Sequence, residues 1–216
     1  MPVDVKICGL TRPIDAELAD AAGAAYLGVI FAGGPRQRPV VEARATLAGR
    51  RARKVGVFAA QSGAEISDVA SQIGLDVVQL HGESDADRIH DVRAATGLEV
   101  WAVVRTADGT LPEGIDELAD AADALLIDTL VAGQLGGSGV VMPWGMLGES
   151  LDAMESGHRI VLAGGLTPEN VAEAISYVSP LVVDVSSGVE TAPGIKEHAR
   201  IRAFIAAVRA ASDLSD

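Results

Sequence analysis

Val5-Lys6-Ile7-Cys8-Gly9-Leu10-Thr11, followed by Arg12-Pro13, runs from an apolar strand through a glycine turn into the start of a helix. Proline suits that start, because the N–H it lacks is one that a first helical turn leaves unbonded anyway. Lys6 and Cys8 stand two apart, so in a strand they point to the same face. An ammonium beside the sulfur favours the thiolate, the form that takes a proton. A simpler reading competes: a cysteine at a strand end is also a small buried hydrophobe. Cys8 is the only cysteine, so it has no disulfide partner within the chain.

The handover from strand to helix recurs. Apolar, β-branched segments fall at Val3–Ile7, Tyr26–Phe31, Lys54–Phe58, Val77–Leu80, Glu99–Val104, Ala124–Ile127, Arg159–Ala163 and Leu181–Val185. Helical patterns cover Pro13–Ala22, Val41–Arg50, Glu65–Ile73, Ala86–Thr96, Ile115–Ala121, Trp144–Glu155, Pro168–Val178 and Glu197–Ala211. Each strand and helix together take roughly 20–35 residues, the length of a βα repeat. That alternation predicts a closed (β/α)8 TIM barrel formed as one domain over residues 1–216, with an open doubly wound sheet as the alternative.

The 216 residues are 49% hydrophobic, which suits strands covered on both faces. The long uncharged stretch Thr129 to Gly148 holds six glycines and Pro143, so it reads as a loop region and not a membrane span. With no basic-then-apolar leader pattern and one cysteine, a reducing cytoplasm is the expected location. Seventeen basic residues against thirty acidic give a net charge of −13, which repels nucleic acid and anionic lipid. A small phosphorylated ligand would therefore need its phosphate held locally, by backbone N–H groups or a few placed arginines. Oligomeric state stays open between monomer and homodimer.

In such a barrel the chemistry sits at the C-terminal ends of the strands. Those ends carry Cys8-Gly9, Gly33-Gly34-Pro35-Arg36, Gln79-Leu80-His81-Gly82, Asp128, Gly164-Gly165 and Asp184 running into Ser186-Ser187-Gly188. Gly164-Gly165 and Ser187-Gly188 either bring backbone close to a phosphate or merely turn tightly. Thr167 is a candidate N-cap for the helix that follows. Arg36, in a loop, either grips a carboxylate through its fork or lies solvated, with Arg38 as a weaker candidate. Asp128 ends a buried run, where desolvation makes a carboxyl a usable acid; a capping role is the alternative. Asp184 lies inside the last strand within reach of Lys6 and is expected, like His81, to meet the substrate directly or one step behind it. His81 has no second ligand at metal spacing, so no metal site is expected. His90, His158 and His198 read as surface residues.

These residues together resemble the phosphoribosylanthranilate isomerase family of tryptophan biosynthesis. The resemblance runs through K-I-C-G-L-T at Lys6–Thr11, G-V-I-F with P-R at Gly28–Arg36, V-G-V-F at Val55–Phe58 and V-Q-L-H-G at Val78–Gly82. It continues through L-I-D at Leu126–Asp128, G-G-S-G at Gly136–Gly139, L-A-G-G-L-T-P-E-N-V at Leu162–Val171, D-V-S-S-G-V-E at Asp184–Glu190 and P-G-I-K at Pro193–Lys196. It implies a (β/α)8 barrel, no metal, no organic cofactor, and an Amadori rearrangement of an N-ribosyl anthranilate 5-phosphate. By the same resemblance the general base falls on Cys8, the general acid on Asp128 and the anthranilate carboxylate partner on Arg36. The phosphate loops fall on Gly164, Gly165, Ser187 and Gly188. The chain departs from the family pattern at Gly34, at Ala59-Ala60, at Val140 and at Pro143, away from the acid and base.

Two other readings remain at this point. The analogous isomerase of histidine biosynthesis works with two aspartates in its family, whereas the first strand here ends in cysteine. An inert binder of a phosphorylated ligand would keep the glycine loops but have no use for Cys8 together with Asp128.

Overall fold

Consecutive apolar residues suit a strand with both faces covered, and all eight runs lie inside the protein. In the computed structural model the described residues are 2–82, 85–128, 143–154 and 157–213. The elements are β1 Asp4–Ile7, α1 Pro13–Ala22, β2 Tyr26–Ile30, α2 Val40–Leu47, β3 Arg53–Phe58, α3 Gly63–Ile73, β4 Val77–Leu80 and α4 Ala86–Thr96. They continue as β5 Glu99–Arg105, α5 Ile115–Ala121, β6 Ala124–Asp128, α6 Trp144–Asp152, β7 Ile160–Ala163, α7 Val171–Val178 and β8 Val182–Val185. A 3-10 turn at Ser187–Val189, a short hairpin of β9 Glu190–Ala192 and β10 Ile195–Lys196, and α8 His198–Asp213 follow. Each strand pairs in parallel with the next, and β8 pairs with β1, so the sheet closes into a (β/α)8 barrel.

Alternate residues of each strand fill different spaces. Ile7, Leu27, Leu80, Ile127, Leu162 and Val183 join the helices in the large outer core. Tyr26, Val55, Val77, Trp101, Leu126, Val161 and Val182 fill the inside of the barrel. Two residues further along a strand the same inward face turns polar. Val77 is succeeded by Gln79 and His81, Val182 by Asp184, Leu126 by Asp128, and Lys6 by Cys8. One end of the barrel is thus sealed and the other is chemically equipped. At the sealed end Tyr26 and Trp101 meet edge to face with ring centroids 5.0 Å apart. Glu99 there accepts from Arg53 Nη1 at 2.9 Å and Arg159 Nη1 at 3.5 Å.

Local signals fix several ends. Ser62 and Glu65 form a reciprocal capping box at α3, worth about 1 kcal/mol. Pro13 stands in the first turn of α1. Thr167 Oγ1 accepts the Glu169 N–H at 3.2 Å and its carbonyl accepts the Val171 N–H at 3.1 Å, so Thr167 caps the turn that leads into the helix, but the helix proper starts later than expected. α7 begins at Val171 with Asn170 in the N-cap position. Asn170 Oδ1 accepts the Thr167 N–H at 2.7 Å, and its Nδ2 donates to the Gly165 carbonyl at 3.0 Å. That amide closes an extra turn between strand and helix. The β9–β10 hairpin had no counterpart in the periodicity, because its strands have only three and two residues. No helix among the described residues is long and apolar enough to cross a membrane.

Candidate active site

The polar ends of the strands surround one open cavity of about 530 Å³. Cys8, Arg36, His81, Asp128, Gly164, Gly165, Asp184, Ser187 and Gly188 all line it. Cys8 follows β1 and Asp128 ends β6, three strands apart around the ring.

Beneath Cys8 lies a buried polar layer. Lys6 Nζ donates to Asp184 Oδ2 at 2.6 Å and to Gln79 Oε1 at 2.8 Å. Burial opposes the Lys6 ammonium, but Asp184 and Cys8 outweigh it and hold its pKa above the ordinary lysine value. The other Asp184 oxygen, Oδ1, is buried and has no hydrogen-bond partner among the described residues. Asp184 thus keeps unused acceptor capacity just beneath the cavity wall.

The sulfur itself corrects the expectation of a resting thiolate. Burial pushes the Cys8 thiol up; Lys6 pulls it down, Asp184 pushes it up again, and Lys196 pulls it down. The sum is a raised pKa, so Cys8 rests as the thiol at neutral pH. Alkylation of this single cysteine by iodoacetamide should accelerate with pH, with a midpoint above the ordinary value of about 8.5. A midpoint below that value would show that the lysines dominate the sulfur.

Arg36 does grip a carboxylate, and it belongs to the protein. Its Nε and Nη2 donate to Glu190 at 2.9 and 2.6 Å. Glu190 also accepts from Lys196 Nζ at 2.8 Å. Burial raises the Glu190 carboxyl, yet Arg36 and Lys196 outweigh it and keep it below the ordinary range. Arg36 Nη1 makes no hydrogen bond among the described residues. Arg38 donates to the Gln37 carbonyl and is absent from the cavity wall.

The two glycine loops meet at the β7–β8 side of the mouth. Gly164 and Gly165 both take positive φ, at 93° and 62°. At Gly188 a Cβ would stand 1.9 Å from the Leu166 carbonyl oxygen, so only glycine fits there. Arg200 of α8 braces both loops from behind, donating to the Gly188 carbonyl at 2.8 Å and to Glu169 at 3.0 Å.

Of the remaining histidines, His90 is exposed, whereas His158 and His198 are half-buried. His198 meets Asp15 at 2.9 Å, and Asp15 also accepts two bonds from Arg12. Among the described residues no group of three or more His, Cys, Asp or Glu could hold a metal ion. Gly136–Gly139 and Val140 lie outside the described residues. At the Ala59-Ala60 departure, Gln61 accepts the Ala59 N–H at 2.8 Å and donates to the Phe31 carbonyl at 2.9 Å, tying adjacent loops.

Arg105 Nη2 lies 2.8 Å from His81 Nε2, and Arg105, Gln79, Glu190 and Lys196 are the four residues to which the sequence reading assigned no role. Gln79 was legible, being two before His81 on the same face. Arg105 was legible too, had β5 been carried one residue past Val104. Glu190 and Lys196 were not, since they reach Arg36 only through the hairpin.

Comparison with known proteins agrees with this architecture. The sequence model described as N-(5'phosphoribosyl)anthranilate (PRA) isomerase matches residues 5–207. The chain is 41% identical to the N-(5'-phosphoribosyl)anthranilate isomerase of Paracoccus denitrificans, over 95% of this chain and 97% of that protein. It superposes on the phosphoribosyl anthranilate isomerase of Thermotoga maritima with a TM-score of 0.84, at 33% identity, covering 96% and 99% of the two chains. It is equally similar in extent to a phosphoribosyl anthranilate isomerase solved with reduced 1-(o-carboxyphenylamino)-1-deoxyribulose 5-phosphate, with a TM-score of 0.81 and 32% identity over 96% and 99%. A barrel that matches these enzymes along nearly its full length, in sequence and in shape, is one of them: the chain belongs to the N-(5'-phosphoribosyl)anthranilate isomerase family.

Proposed function

We propose that this enzyme converts N-(5-phosphoribosyl)anthranilate to 1-(2-carboxyphenylamino)-1-deoxyribulose 5-phosphate by an Amadori rearrangement, with Cys8 as base and Asp128 as acid. The observation that carries the reading is that Cys8 and Asp128 line one cavity from well-separated strands. A ring sugar held between them is addressed on two different atoms. Asp128 gives a proton to the furanose oxygen, the bond from that oxygen to the anomeric carbon breaks, and a protonated imine forms. Cys8 takes the proton from the adjacent carbon, leaving an enolamine. Tautomerisation moves the hydroxyl proton of that carbon to the former anomeric carbon and yields the ketone. Every step is a proton transfer, for which one acid and one base suffice.

A thiol that rests protonated fits this scheme. The competent state holds a proton on Asp128 and none on Cys8. It has the same net charge as the reverse arrangement, so their ratio does not change with pH. Lys6 lies against the sulfur when the thiolate forms and supplies the compensating charge.

The rest of the cavity serves binding in this reading. The amides of Gly164, Gly165, Ser187 and Gly188 hold the phosphate, offsetting an acidic surface at short range. Asp184 and His81 line the space for ribose or amine groups. Arg36 offers its remaining edge to the anthranilate carboxylate, oriented by Glu190. Arg36→Ala should therefore raise KM and leave kcat largely intact, since a charge-assisted pair is worth about 1.5–3 kcal/mol. An unchanged KM would remove the carboxylate role. For the activity itself, incubating the protein with fluorescent phosphoribosylanthranilate should extinguish the signal at a rate proportional to enzyme. A rate no faster than buffer would refute the function.

A further inference from the structure

His81 presents an imidazole to the cavity, and its two nitrogens are in different situations. Nε2 lies 2.8 Å from Arg105 Nη2. A guanidinium has only donors and does not deprotonate in proteins, so Nε2 must be the acceptor and must carry no hydrogen. The ring proton is then on Nδ1, which is shielded from solvent and has no partner among the described residues. We infer that Arg105 is a positioning residue that holds His81 as the neutral Nδ1–H tautomer, with Nε2 occupied and Nδ1 enclosed, so that His81 takes no part in proton transfer. This rests on the isomerase reading above, and it adds a role for a residue outside the cavity wall.

The surroundings agree. Arg105 and Asp128 are register partners on β5 and β6, so their side chains share a face of the sheet at the mouth. His81 therefore stands beside the proposed acid, where a second titrating group would compete for its proton. Burial depresses the His81 pKa, and Arg105 on β5 and Lys6 on β1 add to the depression; Asp128 on β6 and Asp184 on β8 oppose it. The tautomer does not depend on that balance. It follows from the donor seated on Nε2.

The test begins with ring-nitrogen NMR on histidine-labelled protein, with His81→Asn identifying the resonance among the four histidines. The wild type should show Nδ1–H and no proton on Nε2 at neutral pH, with any second protonation displaced below that of an ordinary histidine. In Arg105→Gln both tautomers should appear, and the ring should take its second proton at higher pH than in the wild type, with burial still holding it down. A proton on Nε2 in the wild type, or an unaltered ring in Arg105→Gln, would overturn the inference. Kinetics give a second check. Arg105→Gln should bring an extra ionisation into the neutral range of the kcat/KM pH profile. In a His81→Asn background, where no imidazole remains to titrate, the same change should add none. A new ionisation in that background would mean that Arg105 acts directly and not through His81. The spectra require no turnover, so an inactive protein with the expected tautomer would sink the isomerase reading and leave this assignment standing.

Discussion

Cys8→Ala and Asp128→Asn should each lower kcat by about 10²–10⁴-fold, the range for a positioned acid or base, with little loss of stability. The sulfur faces an open cavity, so trimming it leaves no closed void. Asparagine keeps the shape of Asp128 but has no acidic proton. Because both residues act on one substrate in successive steps, the double variant should lose less than the product of the single losses. Deuterium on the ribose carbon next to the anomeric centre separates the roles. Residual Cys8→Ala activity should show a large primary isotope effect, since proton removal from carbon is then slow. Asp128→Asn should show a smaller one, since ring opening limits. The opposite ordering would exchange acid and base, and near-wild-type turnover would remove a residue from the mechanism.

Gly188→Ala should cost on the order of 10²-fold in kcat/KM, the scale of an ångström-sized misplacement of bound substrate. The added carbon would meet the Leu166 carbonyl, which is backbone and has no rotamer to escape into. The β7 and β8 loops must then separate, and the proposed phosphate seat lies between them. Gly145→Ala is the control, since its Cβ would meet only the Tyr177 ring at 3.8 Å, an ordinary contact. Inorganic phosphate should compete less well against substrate in Gly188→Ala and normally in Gly145→Ala. Equal competition in both, with melting temperatures unchanged, would place the phosphate elsewhere.

Much of the barrel was legible because its signal is local and repeated. Pro13–Ala22, Val77–Leu80, Ala86–Thr96 and Ile115–Ala121 fall where periodicity placed them, to the residue. β6 was legible as Ala124–Ile127, and one step further adds Asp128, which ends the strand. Ends governed by a side chain folding back were harder. α7 starts late because the Asn170 amide closes a turn that no propensity announces. The candidate residues of the site were legible for one reason: each sits at a strand end, and a closed barrel sends all its strand ends to one mouth. What could not be read was which charges pair. Arg36 looked like a residue waiting for a ligand, and its carboxylate partner lies 154 positions along the chain. Likewise the nearness of Lys6 to Cys8 was plain, but the outcome turns on burial and on Asp184, and these emerge only when β1 and β8 close the ring.

That closure has a consequence outside catalysis. A ring of strands has no first or last member, so none of the eight exposes a row of unpaired N–H and C=O groups along its length. Such rows are the templates on which chains stack into aggregates. Among the described residues only β9 and β10, of three and two residues, offer any. A chain that is 49% hydrophobic therefore offers its own copies no long strand edge along the barrel while folded. The hazard belongs to the unfolded chain, where runs such as Ala124–Ile127 and Ile160–Ala163 stand bare. Its shelf life should then be set by how often the ring opens, and not by how crowded the folded molecules are.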